Sequence, residues 1–392
     1  MTHSTSSGPA APAVEALAAE FARNFAERGD LGAAVSVWAG GREVASLAGG
    51  FQDREKTRPW TAATPVLFWS ATKGPAAACV LHACAEAGLA LSRQVAEFWP
   101  EFAAQGKGAI TIAELMSHQA GLSALSRGID VFDYDAIVAA LAAEAPHWPL
   151  GSGHGYHPRT FGYLLDEFLR RLAGGTTLGA YWQATFARPL GLDLWIGVPE
   201  TMVEQVAPIH GSRTAPPKGD PFYSAFLTAG SVTARTFSSP RGLHTASSMN
   251  TPEARMASLP AFGGIGTASA LAKFYAMLAQ GGALDGRRYF QPETVALMST
   301  PLVEGPDLVL QTKTAFSAGF MQDPLAPDGR KLRQAFGPSR RAFGHPGAGG
   351  SHAFADPENG VAFAYVMNQM QPGVLPDERS VKLVEAIYRA TF

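Results

Sequence analysis

The chain is predicted to fold as an α+β protein, with a central antiparallel sheet flanked by helices and a mainly helical lobe inserted between its strands. Three observations carry that prediction. Short apolar runs punctuated by turns lie at both ends of the sequence, and helix-forming apolar runs fill its middle. Of the 392 residues, 46% are hydrophobic and only 16% charged, so a large core can be buried. The simplest packing of that order lets the two ends share one sheet covered by helices, with the middle inserted as a helical lobe. The expected divisions are a flexible tail over 1–12, a sheet domain built from 13–72 and 285–392, and a mainly helical domain over 73–284.

The elements follow in chain order. Val14, Leu17, Phe21 and Phe25 recur at helical spacing, and Gly29 ends the pattern. Ala33–Ala39 and Arg42–Ala48 flank Gly40-Gly41, the signature of a β-hairpin. The run Ala76–Ala87 is apolar almost all round, which marks a buried helix, and Pro75 near its start removes an N–H that has no intrahelical partner there. Cys79 and Cys84 lie on that one helix and point apart, so free thiols are expected. Shorter helices are expected at Ile112–Ser117 and Phe161–Leu172. Residues 205–262 carry Pro216-Pro217, Gly219-Asp220-Pro221 and Ser238-Ser239-Pro240, an irregular stretch of the kind that forms a lid or pocket wall. Ala268–Gln280 is helical and stops at Gly281-Gly282. Strands are expected at Ala342–Gly344, His352–Ala355 and Val361–Met367, and a closing helix at Asp377–Ala390.

Composition narrows the function. A formal net charge of −2 offers no footprint for nucleic acid or an anionic membrane. The polar start shows no basic region followed by an apolar run, and no window approaches about 18 uninterrupted apolar residues, so neither export signal nor membrane span is expected and a cytoplasmic location is the default. His154 and His157 have no acidic or thiol neighbour in the sequence to complete a metal site, and His118 reads as a capping or packing residue. No Gly-x-Ser-x-Gly elbow and no Gly-Lys-Ser/Thr phosphate loop occurs. No cofactor or metal is therefore expected.

Chemistry concentrates at Phe68-Trp-Ser-Ala-Thr-Lys-Gly74. Residues three apart on a helix share a face, so Ser70 and Lys73 meet in the first turn. Serine needs a base to act as a nucleophile, and a lysine at its ordinary pKa of about 10.4 is protonated at neutral pH. Burial and the positive end of the helix would both lower it. The alternative is that Ser70 merely caps the helix. Lys73 is the only lysine with a serine three residues before it. Two further segments stand out: the turn-rich loop Trp148–Pro158 with Tyr156, and Gly344-His345-Pro346-Gly347-Ala348-Gly349-Gly350-Ser351, where glycine lets backbone N–H groups approach a ligand.

In that order the three segments resemble the serine hydrolases of the class C β-lactamase and penicillin-binding-protein superfamily, most closely its carboxylesterase branch, the family VIII esterases. The family's Ser-x-x-Lys, Tyr-x-Asn and Lys-Thr-Gly-like boxes correspond to Ser70–Lys73, Tyr156-His157-Pro158 and His345-Pro346-Gly347. The surrounding Leu115–Ser123, Arg188–Leu192 and Gly264–Tyr275 segments agree, so the resemblance runs from about residue 14 to the C-terminus. It implies a β-lactamase-like fold with the active site between sheet and lobe, Ser70 as nucleophile, and Lys73 and Tyr156 sharing its proton, with the formal base left open between them. It also implies an oxyanion hole from the N–H groups of Ser70 and Ala348, or of Gly349 if the strand is shifted.

Two departures bear on substrate. Pro158 replaces the asparagine that holds a β-lactam side chain, and His345 replaces the lysine that faces the antibiotic's carboxylate. Both favour hydrolysis of short-to-medium acyl esters, and a small-molecule ester is the expected partner. A β-lactamase, D-amino-acid peptidase or acyltransferase on the same fold is the alternative, and a non-catalytic scaffold a third reading. His345 and Gly347 are expected at the pocket, together with the loop aromatics Tyr134, Trp148, Phe222 and Tyr223. Phe68 and Trp69 are expected to lock the helix start into the core rather than touch substrate.

Overall fold

The computed structural model describes residues 2–3 and 11–391. Among the described residues nine antiparallel strands form the main sheet, in the order Thr2–His3, Arg42–Gly50, Gly32–Ala39, Val361–Met367, His352–Asp356, Phe343–Pro346, Met321–Gln322, Lys313–Phe316 and Val303–Pro306. The two ends of the chain meet where Gly32–Ala39 pairs with Val361–Met367, Val35 lying opposite Tyr365. The predicted α+β architecture is thus the observed one. Of the expected tail, residues 1 and 4–10 lie outside the described residues. Thr2–His3 pair with Leu47 and Ala48 at the sheet edge, and the first helix already begins at Ala11, because the apolar spacing extends back from Val14.

Val361–Met367 is buried at every position, as expected of a continuous apolar strand covered on both faces. On one face Val37, Ala39 and Val361 meet Leu17 and Ile387 of the terminal helices Ala11–Ala26 and Glu378–Thr391. On the other, Ser36 and Ser269 both donate to Glu43 Oε1 at 2.7 Å, tying the sheet to the helix Ala268–Ala279. That helix therefore belongs to the sheet layer, although it precedes residue 285.

A second sheet of three short strands, Val66–Leu67, Gly264–Gly266 and Leu194–Ile196, was not apparent from the sequence. Neither were Val303–Pro306, Lys313–Phe316 and Met321–Gln322, which are too short and mixed for an alternating pattern. The segment 205–262 is irregular as expected, but it also holds four short helices. Asp220, Ser231, Thr245 and Thr251 start them, each side chain accepting a backbone N–H three residues on. Cys79 and Cys84 are buried free thiols. No helix of the described residues is long and apolar enough to cross a membrane.

Candidate active site

The small sheet delivers the chain to the site. Phe68, fully buried, donates its N–H to Gly264 O at 3.0 Å. Trp69 then turns with a φ of 47°, a left-handed conformation that an L residue holds only under constraint. The constraint comes from both sides. Thr72 Oγ1 donates to the Trp69 carbonyl and accepts the Gly264 N–H at 2.7 Å. A Cβ on Gly347 would stand 2.1 Å from the Phe68 carbonyl oxygen, so only glycine lets the third segment press on this turn.

Ser70 lies in a 3₁₀ turn, Trp69–Thr72, and the α-helix Lys73–Glu86 starts after it. Ser70 caps neither, since the N-cap positions are Phe68 and Thr72. A 3₁₀ turn has three residues per turn, so side chains three apart eclipse. Lys73 Nζ accordingly stands 3.3 Å from Ser70 Oγ. It is also 2.8 Å from each of two carbonyl oxygens, Pro158 and Ala261. Lys73 is completely buried, and that burial, followed by the positive charge of Arg159, pushes its pKa well below the ordinary lysine value. Carbonyls only accept. A neutral amine has two N–H bonds for them and one lone pair left, toward the Ser70 hydroxyl.

Tyr156 joins them, its ring 4.8 Å from Lys73 Nζ and its phenol beside the Ser70 hydroxyl. Burial raises the phenol's pKa above that of free tyrosine, so it keeps its proton at neutral pH. The loop carrying it is tied down from three directions. Asp307 accepts the Tyr156 N–H at 3.1 Å, and also those of Val309 and Leu310 at 2.8 Å. His118 Nδ1 accepts the His157 N–H at 3.2 Å. His157 Nε2 accepts the Leu122 N–H at 3.0 Å while its Nδ1 faces Gly155 O at 2.6 Å, which fixes a neutral ring. His118, expected to cap or pack, thus packs and orients this loop.

Ser70, Tyr156 and Ala348 line one cavity of about 780 Å³, walled mainly by apolar side chains. Phe222 and Tyr223 line it too, on the helix Pro221–Leu227 rather than on a loop. Lys73 sits directly behind Ser70. Gly347 and His345, expected at the pocket, do not line it and are buried behind its wall: the Gly347 N–H donates to Ser351 O at 2.6 Å, and the His345 ring stacks 5.7 Å from Tyr156.

Further expectations are corrected. Trp148 does not reach the cavity, because its indole covers Gly155 and meets His157 edge-on at 5.7 Å. Tyr134 starts the helix Tyr134–Ala143, capped by Asp133, and its phenol donates to Glu167 at 3.1 Å. Trp69 lines the cavity, since the left-handed turn swings it out of the core that holds Phe68. Gly349 spends its N–H on Gly373 O at 3.0 Å, so of the two oxyanion candidates Ala348 is the one facing the cavity. Arg159 and Asp307 were not singled out in the sequence. Arg159 follows directly on the Tyr156-His157-Pro158 box, whereas Asp307 is 151 residues from the N–H it holds and carries no local signal.

Comparison with known proteins agrees with this geometry. A Beta-lactamase family model matches residues 21–386. Esterase/beta-lactamase LipL of Mycobacterium tuberculosis is 33% identical over 382 residues, covering 94% of this chain and 85% of the relative. A penicillin-binding protein homolog from Caulobacter crescentus superposes with a TM-score of 0.86 at 38% identity over 100% of both chains. A family VIII carboxylesterase superposes at 0.85 and 33% identity, over 98% of this chain and 99% of that one. The chain belongs to the beta-lactamase family, and it is a serine hydrolase.

Proposed function

We propose that the chain is a carboxylesterase that works through an acyl-enzyme on Ser70. The observation that carries this reading is the Lys73 amine, dry, held by two carbonyls and 3.3 Å from Ser70 Oγ. Ser70 Oγ attacks the ester carbonyl and passes its proton to Lys73. The resulting oxyanion lies between the N–H groups of Ser70 and Ala348, an interaction worth about 3–4 kcal/mol per donor in such sites. As the tetrahedral intermediate collapses, the C–O bond to the alcohol breaks. The leaving alkoxide takes a proton from Tyr156, which recovers one from the neighbouring Lys73 ammonium, so that amine and phenol are both neutral again in the acyl-enzyme. Water then attacks the acyl carbonyl and gives a proton to Lys73; on collapse the bond between the acyl carbon and Ser70 Oγ breaks, Ser70 takes that proton back, and the acid is released.

Esters are favoured over β-lactams by the third box. His345 is buried, and that burial pushes its pKa down to about 3, so it offers no positive charge to a β-lactam carboxylate at neutral pH. The names of LipL and of the family VIII carboxylesterase accord with ester hydrolysis. The test is turnover of p-nitrophenyl butyrate with mass spectrometry of the trapped intermediate. Butyryl mass is expected on Ser70, with Lys73→Ala and Tyr156→Phe each losing several orders of magnitude in kcat. A Ser70→Ala variant as active as wild type would overturn the assignment, and nitrocefin turnover matching the ester's would overturn the preference for esters.

A further inference from the structure

Lys73 is anchored on the carbonyls of Pro158 and Ala261, and the residue after each anchor is Arg159 and Phe262. Those two residues are themselves paired, the Arg159 guanidinium standing 4.7 Å over the Phe262 ring. The guanidinium also donates to the carbonyl oxygens of Leu243, at 3.2 Å, and Gly242. Leu243 is held with a φ of 53°, in the left-handed region. One side chain therefore joins the tyrosine loop, the segment carrying Ala261 and the pocket wall.

We propose that Arg159 is the positioning residue of this site: it clamps together the two chain segments whose carbonyls seat Lys73, and it stands beside Lys73 as a fixed cation. The inference rests on the reading of Lys73 as the base. Among the described residues, Arg159 is the one charged group that acts on Lys73. From its own loop Tyr156 and His157 face Lys73, from the turn after the helix Ile112–Met116 His118 does, and from the strand Phe343–Pro346 His345 does. Burial holds the three histidines neutral, His157 and His345 at about 3 and His118 well below its usual value. No carboxylate among the described residues is paired with Lys73. Arg159, facing Tyr163 and His244, is lowered by its own burial only to about 10 and stays charged at neutral pH. A cation beside an amine disfavours the ammonium form, and burial leaves that repulsion little screened.

The experiment compares Arg159→Met with Arg159→Lys in two measurements. The first is the pH profile of kcat/KM for p-nitrophenyl butyrate. The second is titration of the Lys73 ε-carbon resonance, assigned with Lys73→Arg, which needs no activity. Arg159→Met is expected to move both the acidic limb and the Lys73 midpoint upward by about one pH unit, about a tenfold loss of kcat/KM below the limb. Arg159→Lys, which keeps the charge, is expected to hold both near the wild-type position. A rate lowered by the same factor at every pH, with the resonance midpoint in place, would reduce Arg159 to a structural brace and overturn the proposal. A moved midpoint in a protein without esterase turnover would sustain the effect on Lys73 and sink the esterase reading instead. Should Arg159→Met not fold, Arg159→Gln removes the charge while keeping a donor for the Gly242 or Leu243 carbonyl.

Discussion

The two sides of the cavity are built on opposite principles. On the chemical side, Ser70, Lys73 and Tyr156 rest on buried segments whose backbone groups are held by Gly264, Asp307, His118 and Phe68. On the facing side, the helix Pro221–Leu227 has no buried residue, and Leu227 is 76% exposed. Phe222, Phe226 and Phe237 contact one another there at 5.3–5.9 Å between ring centres, in a partly exposed cluster at the edge of the core. The difference separates two tasks. Proton transfer needs sub-ångström placement, whereas choosing an acyl or alcohol group needs only apolar surface of adequate shape.

The comparison breaks most visibly at Asp307. Its buried carboxylate accepts three backbone N–H groups and the Thr314 hydroxyl, the last at 3.1 Å. Asp307→Ala leaves those donors unpaired in a dry site, which costs about 3–5 kcal/mol of stability. It also frees the Tyr156 backbone, and a displacement of about 1 Å costs about a hundredfold in rate. The expected outcome is a large fall in kcat with KM nearly unchanged, alongside a lower Tm. The milder Asp307→Asn, which keeps an acceptor, separates the two effects. Wild-type kcat in both variants would show that the loop is positioned without it.

The wall gives the reverse signature. Phe226→Ala removes a ring that is 39% exposed and packs on Phe222 and Phe237. For a large apolar ester such as p-nitrophenyl octanoate, KM is expected to rise about three- to tenfold with kcat preserved, the scale of a few lost apolar contacts. For the acetate ester KM should not move, and stability should stay within about 0.5 kcal/mol. A kcat loss equal for both esters would mean that wall and chemistry are coupled after all.

The same division governs what the sequence disclosed. Helices and strands that bury continuous apolar faces, such as Lys73–Glu86 and Val361–Met367, are legible because burial writes a period into the chain. Ser70 and Lys73 are legible because local spacing brings them together. Tyr134 was misplaced although Asp133, a capping residue, announces its helix. Arg159 and Asp307 were missed for a different reason: each acts across 83 to 151 residues of sequence, and long-range pairing leaves no local pattern. The short strands at 303–322 are likewise defined by their neighbours rather than by their own residues.

The smallest effect tests whether the tight packing behind the site extends through the sheet. His352 lies wholly buried among Phe336, Phe354 and Phe363, and both ring nitrogens are without a partner among the described residues. Burial pushes its pKa down to about 3 from an ordinary 6.5. Between those values the unfolded chain binds a proton that the folded protein refuses. Stability is therefore full above about pH 6.5 and declines as the pH falls toward 3, by up to about 1.4 kcal/mol per pH unit for this one group. His157 and His345 add the same dependence. His352→Phe removes the orphaned polar atoms and one proton from that slope, so the variant should gain about 1 kcal/mol at pH 7 and resist acid better than wild type. Denaturant unfolding at pH 5 and pH 7 measures both. An unchanged acid slope would mean that His352 finds a proton donor or acceptor in the folded protein, and that this part of the sheet is less dry than its packing indicates.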